Sequence, residues 1–297
     1  LLPRIDDCYK NRSILVTGAN GFVGEVLVEK LLYSCQSLKT IYIVLRPSRG
    51  ISAVQRWKDV IKKEIFDRCK ESNLMHKVVV MEGDITKPNY SLNGEDIETL
   101  LREVNVVFHC AASVKFNDAL RASLDINLRA TMNTIELCKK MNNLECLLHC
   151  STAYSNCERK ILEEKVYKPL VDPHKLLLDI DYMSDAEVLQ LTPGYLGLKP
   201  NTYVFTKSLA EWVVSEQLNK LPVVIFRPSI ITSMWNNPIP GWVDNLNGIT
   251  GMAAACMKGM LGNMKGSSKN IADLVPVDAV ASMMIVCAAY RMNKRST

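Results

Sequence analysis

Apolar positions along the chain fall into two alternating rhythms. Short unbroken runs read as buried strands: SILVTG (13–18), TIYIVLR (40–46), KVVVMEGD (77–84), NVVFHCAA (105–112), LECLLHCSTA (144–153) and LPVVIFRPS (221–229). The segments between them repeat their apolar positions at helical spacing. Strands that alternate with helices predict an α/β fold, a doubly wound parallel sheet covered on both faces. The rhythm breaks over 155–200 and 228–272, where Pro, Gly and charged residues interrupt it. Both stretches are expected to be insertions over the carboxyl ends of the strands, where open α/β sheets bind ligands. No internal repeat or low-complexity tract divides the chain, so 1–297 is expected to form one extended domain.

Composition narrows the function classes. With 48% hydrophobic residues over 297 positions the chain can bury a large core. A net charge of +5, from 36 basic and 31 acidic residues spread along the chain, argues against a nucleic-acid platform but leaves room for a basic pocket that holds a phosphorylated ligand. Ten cysteines lie scattered through predicted core elements, Cys110, Cys138, Cys150 and Cys287 among them, which fits a reducing compartment better than a disulfide framework. There is no secretory signal at Leu1, and no apolar run reaches the roughly 18 residues of a membrane helix. The chain as given is expected to be soluble.

Candidate chemistry begins where the first strand turns into a helix. Gly18, Gly21 and Gly24 recur every third position there. A strand, a glycine turn and a helix N-terminus together gather backbone N–H groups and a positive dipole end, a seat for a pyrophosphate; a purely structural turn uses the same residues. The second strand ends in Arg46, with Arg49 close behind and no acid near in sequence. An Arg there accommodates a 2′-phosphate, which favours NADP over NAD, unless both arginines are only solvated charge. Tyr203 and Lys207 are spaced to share one helix face, and a neighbouring ammonium biases a phenol toward ionisation. Ser151 and Thr152 close the preceding strand with hydroxyls able to donate to an oxyanion, and Asn127 lies on the helix between these strands. Two strands end in His-Cys, at His109–Cys110 and His149–Cys150. Alternation turns His and Cys to opposite faces, so core packing is the reading and no metal is expected. The apolar run AVASMMIVCAAY reads as a packing helix, and QRWKDVIKKEIFDRCK as a solvated face that could also offer cations to CoA phosphates.

The order TGxxGFxG, HCAA, STAY, Y-x-x-x-K and FRPS resembles the extended short-chain dehydrogenase/reductases. More narrowly, FHCAASVKFNDAL, STAYSNC, LTPGYLGLKPNTYVFTKSLAE, FRPSIITSMWNNPIPGWVDNLNG and ADLVPVDAV are similar to the alcohol-forming fatty acyl-CoA reductases, over nearly the whole chain. The resemblance implies a Rossmann-type sheet with substrate-binding portions at 155–200 and 228–272. It also implies NADPH-dependent reduction of a long-chain fatty acyl-CoA to an alcohol through an aldehyde, in lipid, wax or ether-lipid metabolism. Carried over by position, the catalytic residues are Thr152, Tyr203, Lys207 and Asn127. Thr152 is preferred to Ser151 because the family's active hydroxyl matches it. The cofactor-binding residues are Thr17, Gly18, Gly21, Phe22, Gly24, Arg46, Arg49, Asp84, Ile85, Ala111, Lys207 and Pro228. A reductase of the same superfamily acting on a sterol, sugar nucleotide or flavonoid-like ketone is the alternative.

The implied partners are the acyl-CoA, no nucleic acid, a membrane reached through a tail outside this chain, and a second copy in a homodimer. The chain starts at Leu1 without an initiator Met and stops after a predicted helix, so a longer protein with a helical C-terminal domain is expected. Relatives of this kind attach to peroxisomal or endoplasmic reticulum membranes with the catalytic domain facing the cytosol. One local departure is 248–270, richer in Met and Ala than the family there; with 155–200 it is the expected wall of the acyl channel.

Overall fold

The computed structural model describes residues 4–267 and 269–293. All six predicted strands form: β1 (Ser13–Thr17), β2 (Thr40–Leu45), β3 (Val78–Glu82), β4 (Val104–His109), β5 (Cys146–Cys150) and β6 (Val223–Phe226). They pair in parallel in the order β3-β2-β1-β4-β5-β6. The chain leaves β1 toward one edge and returns through β4 toward the other, so a crevice opens between the carboxyl ends of β1 and β4.

Period-two alternation assigns the two faces. Ile14, Val16, Ile43, Phe108 and Leu148 pack with helices Phe22–Ser34 and Val277–Asn293. Leu15, Tyr42, Val107 and Leu147 pack on the other side with helices Ala130–Lys140 and Thr202–Ser215. Both faces are covered, so the strands are apolar throughout instead of alternating with polar residues. The run AVASMMIVCAAY lies in the helix Val277–Asn293 and is a packing element: Val280, Met284 and Ala288 are buried, and Tyr9 donates its hydroxyl to the Ile285 carbonyl at 2.7 Å. Among the described residues no helix is long and apolar enough to cross a membrane.

The two interrupted stretches differ in build. Residues 155–200 carry helices Pro173–Tyr182 and Asp185–Leu196, the second opened by a capping box between Ser184 and Glu187. Residues 228–272 carry β7 (Ile230–Thr232) and the helix Gly248–Met257, and β7 pairs in parallel with β8 (Leu274–Pro276) in a separate two-stranded sheet.

Two glycines are fixed by sterics. Gly18 has φ +73°, and a Cβ there would lie 2.7 Å from the Ala111 backbone; a Cβ on Gly24 would lie 2.0 Å from the Gly18 carbonyl oxygen. At Gly21 the nearest atom would be 3.4 Å away, an ordinary contact. Gly24→Ala should therefore cost at least the ~1–3 kcal/mol of an overpacked core, while Gly21→Ala should fold almost as stably as wild type. Urea denaturation of the ligand-free proteins measures both, and equal losses would contradict the packing reading.

Candidate active site

The glycine turn delivers the helix Phe22–Ser34 to the crevice, with Gly21 at its N-cap and the Gly21 N–H donating to the Gly18 carbonyl at 3.0 Å. A cleft of about 250 Å³ opens here, lined by Gly18, Gly21, Arg46, Asp84, Ile85 and Ala111 of the expected cofactor set. Asn20, Arg56, Thr86, Cys110 and Ile126 line it as well, none of them among the expected cofactor contacts. Asn20 was legible as part of the glycine turn. Arg56 belongs to the cluster QRWKDVIKKEIFDRCK, read as a solvated face that could also offer cations to CoA phosphates; it lies on the helix Ala53–Val60 and enters this cleft wall by donating to the Arg46 carbonyl.

Arg46 does have an acid beside it, contrary to the reading from β2 alone. Sheet order brings β3 next to β2, and the Asp84 carboxylate, just past β3, stands 3.7 Å from the Arg46 guanidinium. Asp84 also accepts from the Thr86 N–H at 2.9 Å and its hydroxyl at 2.8 Å.

The other expected contacts are spread around this cleft. Thr17 is buried and turned to His109, 2.8 Å away. Phe22 stacks on Trp242 with ring centroids 5.8 Å apart, and Gly24 serves packing. Arg49 sits with φ +52° in the turn closed by Ser48 and Ile51, outside the cleft lining. The Pro228 carbonyl accepts from the Ala153 N–H at 2.8 Å and joins the ends of β5 and β6.

The four expected catalytic residues converge. Asn201 caps the helix Thr202–Ser215 by accepting from the Val204 N–H at 2.9 Å, which puts Tyr203 in the first turn and Lys207 one turn later. The Tyr203 phenol lies near the Thr152 side chain. Burial pushes the phenol up to about 12, with Thr152 acting the other way, so Tyr203 holds its proton at neutral pH. Lys207 is 2% exposed and donates to the Cys150 carbonyl at 2.6 Å; burial lowers its pKa. Asn127 lies in a π-helical turn, Asp125–Arg129. Its amide oxygen accepts from the Ser113 N–H at 2.9 Å, and its amide nitrogen donates to Thr206 Oγ1 at 3.0 Å and the Ser113 carbonyl at 3.2 Å. It thus ties the strand exit after β4 to the helix bearing Tyr203 and Lys207.

Below the ammonium, His109 and His149 are opposite each other in register and stack with centroids 5.5 Å apart. Thr131 donates its hydroxyl to the Asn127 carbonyl at 2.7 Å, so its oxygen can only accept from His109 Nε2, 3.0 Å away. His109 is therefore the neutral Nε2–H tautomer, its Nδ1 accepting from Thr17. Burial first and Lys207 second push it down to about 3. Among the described residues no group of His, Cys, Asp or Glu has the makings of a metal site.

A second buried charge braces the helix. Glu211, 0% exposed, is held by Arg227 at 2.8 and 2.7 Å and accepts from the Ser155 hydroxyl at 3.1 Å. Arg227 also donates to the carbonyls of Lys165, at 2.9 Å, and Glu163, at 3.3 Å. The cations of the cluster first read as a solvated face are largely engaged: Lys63 bridges Glu25 and Asp244, and Arg68 pairs with buried Glu29.

Residues 16–284 match the NAD-binding family described as male sterility protein. Human fatty acyl-CoA reductase 1 is 42% identical over 288 residues, 96% of this chain and 56% of that protein. This chain belongs to the fatty acyl-CoA reductase family. Mouse fatty acyl-CoA reductase 2 is 38% identical over 284 residues, 95% of this chain and 55% of that one. The family member described here thus spans about half the length of the curated relatives it matches. Among solved structures, the reductase domain of a nonribosomal peptide synthetase from Mycobacterium tuberculosis superposes with a TM-score of 0.68 at 18% identity, over 96% of this chain and 64% of its own. The Bordetella bronchiseptica enzyme WbmF, solved with NAD+, gives 0.61 at 18% identity, over 95% and 70%. Both share the extended reductase fold.

Arg227→Ala would strand Glu211 as an unpaired buried carboxylate, and removing one partner of such a pair costs about 3–5 kcal/mol. Thermal unfolding should report that loss, and hydrogen exchange should rise first over 155–167. A melting temperature within 1 °C of wild type, a roughly negligible change, would show that the pair is dispensable.

Proposed function

We propose that this chain is the catalytic part of an NADPH-dependent reductase that converts a long-chain acyl-CoA to the alcohol through an aldehyde. The observation that carries this reading is the meeting of Tyr203, Thr152 and Lys207 at the carboxyl ends of β4 and β5, beside a cleft walled by Gly18 and Ala111. The cleft fits a nicotinamide dinucleotide: a side chain at Gly18 would collide with Ala111, and the helix N-terminus at Gly21 is a seat for a pyrophosphate. Bound there, NADPH supplies hydride. Arg46 and Arg56 are the cations for its 2′-phosphate, with Asp84 and Ile85 along the adenosine side.

The residues of the chain do the rest. Thr152 and Tyr203 donate to the thioester oxygen as it gains negative charge, which favours hydride addition at the carbonyl carbon; the tetrahedral species then re-forms C=O and breaks the C–S bond, giving the aldehyde and a CoA thiolate. In the second reduction Tyr203 gives its proton to the aldehyde oxygen. A phenol held protonated by burial is in the state this step needs. Lys207 holds the ribose and, by its charge, eases proton loss from Tyr203. The Asn127 carbonyl, which keeps a lone pair beyond the one taken by Thr131, positions a water that refills the proton. The acyl chain runs over 155–200 and the Met-rich stretch 248–270.

Mixing the protein with NADPH and palmitoyl-CoA should give loss of nicotinamide absorbance together with thiol release. Oxidation of NADPH by a simple ketone with no thiol released from any acyl-CoA would instead favour a reductase of non-CoA carbonyls. Tyr203→Phe should lower kcat by ~10²–10⁴-fold while NADPH still binds. Thr152→Ala should cost the first reduction ~2.7–4 kcal/mol and Ser151→Ala much less. For cofactor choice, Arg46→Asp should weaken NADPH far more than NADH in equilibrium titrations; matched losses would reduce Arg46 to surface charge.

A further inference from the structure

The two stacked imidazoles below Lys207 are alike in burial and unlike in satisfaction. His109 has partners on both ring nitrogens, Thr17 on one side and Thr131 on the other. His149 is 1% exposed, and among the described residues neither its Nδ1 nor its Nε2 has a hydrogen-bond partner. The Ser151 hydroxyl, 3% exposed, is in the same position. Two residues apart on one extended stretch, His149 and Ser151 project from the same face of the sheet, the face on which Leu147 packs with the helix Thr202–Ser215.

Lys207 completes the set. Its ammonium carries three donors, of which the Cys150 carbonyl takes one and the ribose, in the reading above, takes another. The third has no acceptor assigned. The charge is near enough to both imidazoles to favour their neutral forms, and a neutral imidazole keeps one nitrogen as an acceptor. Buried polar groups in folded proteins find partners, and where side chains do not reach each other an internal water with two to four bonds links them.

We propose that His149, Ser151 and Lys207 enclose a bound water that accepts from the Lys207 ammonium and donates to His149, so that His149 and Ser151 are positioning residues for Lys207. The water takes the third N–H of the ammonium, accepts the Ser151 O–H on its second lone pair, and leaves one ring nitrogen of His149 as the fixed acceptor. This gives a fully buried ammonium, which no carboxylate among the described residues hydrogen-bonds, a further acceptor. The groups that face the ammonium from the surrounding elements are the Cys110 and Cys150 thiols, Glu211 and the two imidazoles. The proposal rests on the catalytic role given to Lys207 above, and its water site can be tested without that role.

The experiment separates shape from polarity. His149→Phe keeps a ring that can stack on His109 but has no acceptor; His149→Gln keeps an acceptor and loses the ring. Expected is a kcat at least about tenfold down in His149→Phe, less than the ~10²–10⁴-fold of a proton-transfer group because His149 acts only through Lys207. KM for the carbonyl substrate should stay within about twofold, and His149→Gln should recover most of the rate. A packing role predicts the opposite order, so a His149→Phe enzyme as active as wild type, or more active than His149→Gln, overturns the proposal. A high-resolution crystal structure of the wild-type chain decides the water site independently of turnover. An ordered water within hydrogen-bonding distance of Lys207 Nζ and of His149 or Ser151 Oγ is expected, and clear density without one overturns the proposal. If acyl-CoA proves not to be the substrate, the functional reading falls while this structural test still stands.

Discussion

The site depends on one close approach: the Gly24 backbone lies against the Gly18 carbonyl, so close that a methyl group on Gly24 would come within 2.0 Å of that oxygen. This contact sets how near the helix Phe22–Ser34 comes to the end of β1. The same turn brings Gly18 against Ala111 after β4, so the helix Phe22–Ser34, β1 and β4 meet with no side chain between them. The crevice is the space left above that junction. A larger residue would push the helix N-terminus away from where a pyrophosphate can use its N–H groups, and the field of the helix end decays within about a turn.

Charge is handled in two ways around this junction. Where the role is to hold loops, a buried acid is matched by a base: Glu211 by Arg227, Glu29 by Arg68, Glu25 by Lys63. These pairs tie segments distant in sequence to the two helices that flank the site. Lys207 is different. Its close partner is a backbone carbonyl, which satisfies a donor but does not cancel the charge. A carboxylate in that place would neutralise the ammonium. Burial lowers the lysine pKa, and Cys150, Cys110 and Glu211 act the other way.

The sheet was legible because strands buried on both faces must be apolar along their length, and each of the six runs became a strand. That Tyr203 and Lys207 share a helix face was legible because i, i+4 spacing fixes where side chains point. What sequence could not give depends on sheet order and on long-range pairing. Asp84 reaches Arg46 only because β3 lies beside β2, and Arg56 reaches the cleft through the Arg46 carbonyl, not through any spacing rule. β7 and β8 are three residues each and pair across a long intervening stretch, too short to leave a period-two signal. The His-Cys strand ends showed that His and Cys of each pair face opposite ways; that the two imidazoles stack, one fully hydrogen-bonded and the other not, came only with the strand register and the helix that supplies Thr131 and Thr134.

The insertion 228–272 joins these themes, because it is fixed at one end and open at the other. Near the site it is tied down tightly. Asp278 accepts from the N–H groups of Trp235 at 2.9 Å, Asn236 at 3.0 Å and Asn237 at 3.3 Å, which holds its carboxylate below the usual range against the opposing effect of burial. Trp242 stacks on Phe22, and Asp244 reaches Lys63, so this stretch is bound directly to the helix that follows the glycine turn. Farther along, the helix Gly248–Met257 buries no side chain fully, and Met257, Met260 and Met264 stand 83%, 72% and 66% exposed. The positions that touch the cofactor helix are therefore constrained by several bonds at once, while the Met-rich end is held by few. Substitutions in the first half would disturb the crevice itself. Substitutions in the second would change the apolar surface that end exposes and leave the crevice contacts in place.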